Sequence, residues 1–251
     1  MKTARVIEKI VSGQPMQDGA GVSLKRIIGQ AALPRLDPFL MLDEFGSDQP
    51  QDYIAGFPEH PHRGFQTVTY MLAGKMEHRD SAGNRGIIEP GGIQWMNAGR
   101  GIIHSEMPMQ TEGLMRGFQL WVNLPAKDKM SPPSYQDIPA SEVPIVNMDN
   151  GTRIKILSGE FNQIRGPVRG QSPGSLFLDV QPVADQSLSI GISSSHCAFV
   201  YCYDGSLLIA GETLGKGQLA VLGKGDCLDL VGKEGAGFIL VTGQAINEPV
   251  V

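Results

Sequence analysis

Apolar residues in this chain come in short runs that stop at glycine or proline, from Val6–Val11 near the start to Gly237–Thr242 near the end. Runs of that length, rich in β-branched and aromatic residues, fit strands joined by tight turns and are too short for buried helices. The 32 Gly and 17 Pro are scattered between the runs, so they read as turn residues and not as low-complexity tracts. An all-β protein is expected, with at most a helical turn within Ala126–Met130.

At 251 residues the chain holds one large β domain or two smaller ones. An internal repeat favours two. Tyr70-Met71-Leu72-Ala73-Gly74 is similar to Tyr201-Cys202-Tyr203-Asp204-Gly205, and Pro90-Gly91-Gly92 has a counterpart in Gly223-Lys224-Gly225. Between the halves, Pro125–Pro144 changes character and reads as a linker, which places the domains at residues 1–130 and 131–251.

Composition removes several function classes. With 21 basic against 26 acidic residues, and no basic stripe, the net charge of −5 disfavours direct nucleic-acid binding and adhesion to an anionic membrane. Cys197, Cys202 and Cys227 are an odd number without Cys-x-x-Cys spacing, so they read as buried thiols rather than a disulfide framework or zinc ribbon. No stretch spans a bilayer or forms a signal sequence, so a cytoplasmic, reducing location is expected.

Two pairs carry the chemistry: His60-Pro61-His62 and His104-Ser105-Glu106. In a strand, residues i and i+2 share a face about 6.5–7 Å apart, so each pair can converge on one ion between two facing strands. A helix would need i, i+3 or i+4 spacing. Three neutral imidazoles and a carboxylate, with no thiolate, suit a divalent first-row ion and leave positions open for chemistry. Redox-capable Fe(II) is the first expectation, with Mn, Co, Ni, Cu and Zn left open. The first repeat offset sets His60 and His62 against Gly191 and Ser193, and the second sets His104 and Glu106 near Phe238 and Leu240. None of these is a usual ligand, so one barrel is expected to be loaded and the other empty.

The stretch Gly56-Phe57-Pro58-Glu59-His60-Pro61-His62-Arg63-Gly64-Phe65, followed by Ile93-Gln94-Trp95-Met96 and by Ala98-Gly99-Arg100-Gly101-Ile102-Ile103-His104-Ser105-Glu106-Met107-Pro108, resembles the pirins. So do Leu36-Asp37-Pro38-Phe39, Leu42-Asp43-Glu44-Phe45 and Gly117-Phe118-Gln119-Leu120-Trp121-Val122-Asn123-Leu124-Pro125. The resemblance covers nearly the whole chain. It implies two tandem cupin (jelly-roll-like) β barrels, with iron held in the first by His60, His62, His104 and Glu106 and no site in the second. It further implies a quercetin 2,3-dioxygenase, which opens a flavonol ring with dioxygen and releases carbon monoxide, or an iron-state-dependent regulator that binds a protein partner, with a different enzyme on the same site as a third reading, because fold does not fix function. Gln66 stands where many cupins and pirins carry Glu, and the chain stops at Val251 where longer pirins continue into a tail that packs on the N-terminal half.

For the enzyme reading, Glu106 is the expected base as well as a ligand, accepting the proton of a flavonol hydroxyl. Phe45 and Met96 are expected as apolar walls for a planar substrate, and His78 as a group lining the pocket or bonding a ligand. Asp43 and Arg63 read equally as orienting groups or as ordinary salt-bridge residues. Trp95 and Trp121, in alternating strand patterns, are expected in the core, and His196 in a structural role.

Overall fold

The computed structural model describes residues 2–170 and 175–250. It is all-β, with only short 3-10 turns besides strands, one of them at Ala126–Asp128 in the expected helical turn. Among the described residues, no helix is long and apolar enough to cross a membrane. Cys197, Cys202 and Cys227 form no disulfide among the described residues, and the last two are buried.

The chain forms two compact units, Gln14–Glu142 with Ile246–Val251, and Met1–Gly13 with Val143–Ala245. The expected boundary after residue 130 is therefore corrected at both ends. Ser134–Ile138 pairs antiparallel with Ile93–Asn97, so the supposed linker supplies the last strand of the first unit. Ile7–Ser12 pairs with Gln218–Leu222, so the first long strand of the chain closes the second unit. Turn residues show where a strand ends; they do not show which strand it will hydrogen-bond to. The C-terminal segment returns to the first unit, where Glu248 accepts a hydrogen bond from the Ala126 amide at 2.6 Å and Asp37 from that of Asn247 at 2.7 Å.

Each unit has a seven-stranded and a four-stranded antiparallel sheet. In the first unit the larger sheet runs in the order Ser134–Ile138, Ile93–Asn97, Phe65–Ala73, Met115–Asn123, Phe39–Ser47, Val22–Ile28 and Gln14–Asp18. The smaller runs Phe57–His62, Ile102–Pro108, Met76–Asp80 and Arg85–Ile88. Met76 and Ile88 of the smaller sheet join Val22, Leu24, Phe45, Met71 and Met115 of the larger in one apolar cluster. That cluster fills only part of the interior. Gly117 is a tight point within it, because a Cβ there would lie 2.5 Å from the Tyr70 carbonyl and 2.7 Å from the Phe45 ring. Gly117→Ala is accordingly expected to lower stability by about 1–3 kcal/mol through overpacking, read as a reduced urea midpoint. An unchanged midpoint would show that the strands can part there at no cost.

In the second unit the four-stranded sheet runs Ser187–Gly191, Cys227–Gly232, Ser206–Ile209 and Glu212–Gly215. The shared strand order makes Ser187–Gly191 the counterpart of Phe57–His62, and Cys227–Gly232 that of Ile102–Pro108. This corrects the sequence offsets. Ile190 lies opposite Leu228 as His60 lies opposite His104, and Leu230 opposite Ile209 as Glu106 lies opposite His78, so the residues in the places of the His pairs are Ile190, Ile192, Leu228 and Leu230, not Gly191, Ser193, Phe238 or Leu240. All four leucine and isoleucine side chains are buried in a single apolar cluster with Ile154, Leu178, Val200 and Phe238. The second barrel is packed shut by the residue types that replace the donors, and among its described residues it holds no group of three metal donors.

Candidate metal centre

Phe57–His62 is the edge strand of its sheet, which is why Pro58 and Pro61 are tolerated within it. It pairs antiparallel with Ile102–Pro108, His60 opposite His104 and His62 opposite Ile102. The two pairs therefore lie on neighbouring strands of one sheet rather than on strands facing each other across the barrel. A turn at Gly99 leads into the second strand. Gly99 has φ +47°, and a Cβ there would collide with the Ser131 carbonyl, so the position requires glycine. The register slips between His104 and Glu106, bringing Glu106 opposite Phe57 and His78.

The geometry collects three imidazoles. His60 Nε2 lies 2.9 Å from His62 Nε2 and 3.0 Å from His104 Nε2. Among the described residues these three are the group whose donor atoms all fall within 4.8 Å of one another. Two nitrogens about 2.1 Å from a shared ion and at right angles would be roughly 3.0 Å apart, against roughly 3.4 Å in a tetrahedron. The spacing thus fits a divalent ion in an octahedral arrangement. His60 Nδ1 donates to the Pro58 carbonyl at 2.7 Å, which leaves the Nε2 lone pair directed at the group. Burial, reinforced by the neighbouring imidazoles, pushes the pKa values of His62 and His104 down to about 3. Both rings are therefore neutral at physiological pH, as ligation requires.

Glu106 stands beside this group. Its Oε2 is 4.0 Å from His104 Nε2, and the side chain is buried. Two hydrogen bonds hold the carboxylate, one from Thr69 Oγ1 to Oε1 at 2.8 Å and one from Gln119 Nε2 to Oε2 at 3.0 Å. Thr69 and Gln119 are themselves opposite one another on adjacent strands of the large sheet.

A cavity of about 540 Å³ opens onto the centre, lined by His60, His62, Glu106 and Gln119 among its polar residues, with aromatic walls from Phe45, Phe57, Phe65 and Trp121. Phe45 is thus where the sequence placed it. Met96 is not, because it is fully buried in a separate cluster with Ala98 and Ile102. Trp121 is corrected from core to cavity wall, and its indole stands edge-on to His62 with ring centroids 5.2 Å apart. Trp95 is buried as expected.

His78 is corrected too. It neighbours Glu106 in the sheet, yet its Nε2 lies 3.0 Å from Asp137 Oδ2, and it does not line the cavity. Gly86 leaves room for this pair, since a Cβ there would overlap the His78 ring. Burial raises the Asp137 pKa, but the hydrogen bonds with His78 and Gln94 outweigh it and hold the carboxyl below its ordinary value. Arg63 lines the cavity. Asp43 is no surface residue: it is buried on the cavity wall and accepts bonds from Arg26 Nε at 2.9 Å and Nη2 at 2.8 Å. His196 is buried in the second unit, where its carbonyl accepts a bond from Arg5.

The residues missed from sequence are Thr69, Gln119 and Trp121. Gly117, Gln119 and Trp121 alternate on one face of their strand, and their partners Phe45, Asp43 and Met41 all line the cavity. That alternation was the available signal.

A double-sheet barrel with three histidine donors and a neighbouring carboxylate, followed by a second barrel whose described residues bring no three donors together, defines a two-domain cupin with one candidate metal centre. The Pirin family model matches residues 21–122 and the Pirin C-terminal cupin domain model matches residues 177–251, and the chain belongs to the pirin family. It is 46% identical to a pirin-like protein of Caulobacter vibrioides, over 98% of this chain and 90% of that protein. It is 37% identical to Pirin of Homo sapiens, over 100% of this chain and 87% of that one. Among solved structures, a quercetin 2,3-dioxygenase of Acinetobacter baumannii superposes with a TM-score of 0.91 at 30% identity, covering 99% of this chain and 90% of that one.

Proposed function

We propose that the protein is an Fe(II)-dependent dioxygenase of flavonols such as quercetin, held by His60, His62, His104 and Glu106 at the metal and opening the ring with release of carbon monoxide. The observation that carries this reading is the histidine group at 2.9 and 3.0 Å spacing, set at the base of an aromatic-walled cavity. A cavity of about 540 Å³ is of the size that encloses a small planar ligand. The likeness to the Acinetobacter baumannii dioxygenase supports the same reading.

A divalent ion in this centre supplies Lewis-acid stabilisation of the anion left when a flavonol hydroxyl loses its proton. The chain's own residues do the rest. Phe57, Phe65 and Trp121 receive the flat rings, while Phe45 and Met41 close the wall beside them. Glu106 accepts the hydroxyl proton at a carboxylate oxygen, having lone pairs beyond those that meet Thr69 and Gln119.

The test is dioxygen uptake and carbon monoxide release by Fe(II)-loaded protein given quercetin. Equal uptake and release are expected, with turnover cut at least about 100-fold in Glu106→Gln, in line with loss of a general base. Iron-loaded protein that takes up no dioxygen with quercetin would remove the flavonol reading. Full turnover in Glu106→Gln would remove Glu106 as the base.

A further inference from the structure

We propose that Gln119 and Thr69 are positioning residues that act through Glu106, holding its carboxylate turned toward the histidine group so that it serves as the oxygen donor of the centre. The proposal rests on the metal reading above and assigns two residues to it.

The three side chains form a closed triangle. Thr69 Oγ1 is 2.8 Å from Glu106 Oε1 and 2.6 Å from Gln119 Oε1, and Gln119 Nε2 is 3.0 Å from Glu106 Oε2. A hydroxyl has one proton, so Thr69 donates to the carboxylate or to the amide oxygen, never to both at once. The amide has no such choice. Turning it over would set Gln119 Oε1 against Glu106 Oε2, two acceptors 3.0 Å apart with no proton between them. A carboxylate at Glu106 and the amide orientation of Gln119 therefore enforce each other.

Position makes this matter. Glu106 is buried, and Thr69 beneath it is buried as well. Without these donors the carboxylate would be an unpaired polar group in a closed site, free to rotate away from His104 in search of a partner. Gln119 reaches it from the cavity wall, between Gly117 and Trp121 on the same strand face. Its cross-strand partner Asp43 is already taken by Arg26, and Met41, Phe45 and Trp121 beside it are apolar, so the carboxylate of Glu106 is the partner this polar chain serves.

Co(II) is the probe, since its visible spectrum reports donor number and type independently of turnover. Thr69→Val removes the hydroxyl at nearly constant shape, and Gln119→Leu removes the amide. Each is expected to weaken Co(II) binding about 10–100-fold, as loss of a partner to a metal ligand does, and to shift the spectrum toward that of Glu106→Gln. Thr69→Ser, which keeps the hydroxyl, should bind as the parent does. In a Glu106→Gln background, Gln119→Leu should have no further effect, because its action runs through the carboxylate. Melting of the metal-free variants separates loss of fold from loss of donor, and the two substitutions on different strands give independent readings. Parent-like affinity and spectrum in both Thr69→Val and Gln119→Leu would overturn the assignment, as would full additivity with Glu106→Gln. A parent that takes up no Co(II) would instead overturn the metal reading itself.

Discussion

His104→Ala is expected to empty the centre. His104 is buried in the interior of its strand and places Nε2 3.0 Å from His60 Nε2. Its loss leaves two histidines on one edge strand and a carboxylate whose nearest imidazole is gone. The cost should exceed the roughly 10–100-fold attached to an outer partner, since a donor itself is removed. The check is metal content after dialysis of Fe(II)- or Co(II)-loaded protein, together with the rise in melting temperature on adding metal. A ligand at about 100 times its Kd stabilises the folded state by roughly 2.7 kcal/mol, so the parent should show a clear rise and the variant none. Retention of metal by His104→Ala at the parent's level would move the centre elsewhere.

Arg26→Met is expected to have the largest effect on stability, because it leaves Asp43 buried on the cavity wall without its cation. Arg26 meets Asp43 through two bonds and Asp18 through a third, and the bond to Asp43 is the chief reason its pKa is raised. Removing one partner of a buried pair costs about 3–5 kcal/mol, whereas replacing both by apolar groups is often neutral. Arg26→Met with Asp43→Leu should therefore recover most of the loss seen in urea unfolding. The sign of the pH dependence follows. Unpaired and buried, Asp43 has a folded pKa above its unfolded value, so the deficit is small in acid and grows as pH rises. A single variant losing under about 1 kcal/mol would show that the pair is hydrated well enough to matter little.

Much of the candidate site was legible because strand geometry has a period of two. His60 and His62, and His104 with Glu106, had to share faces once they lay in strands. Phe45, expected as an apolar wall, lines the cavity. The expectations for Met96, Trp121 and His78 did not hold. The strands Phe39–Ser47, Phe65–Ala73 and Ile93–Asn97 of the larger sheet are largely buried on both faces, so alternation there separates two sides without saying which holds the cavity. Both tryptophans sit in apolar, alternating stretches, and only Trp121 turned out to face the centre. His78 faces inward, yet Asp137, 59 residues on, takes its Nε2.

What the sequence by itself determined is an all-β chain, two barrels, membership of a family, and a set of histidines spaced for one ion. Tertiary structure alone decided that Ile7–Ser12 joins the second unit, that the two donor pairs are neighbours in one sheet, and that Thr69 and Gln119 grip Glu106. The physical reason is the same in each case. Local patterns set the direction of a side chain relative to its own strand, while its partner is chosen by antiparallel pairing between distant segments, as with Thr69 and Gln119 at a separation of 50 residues.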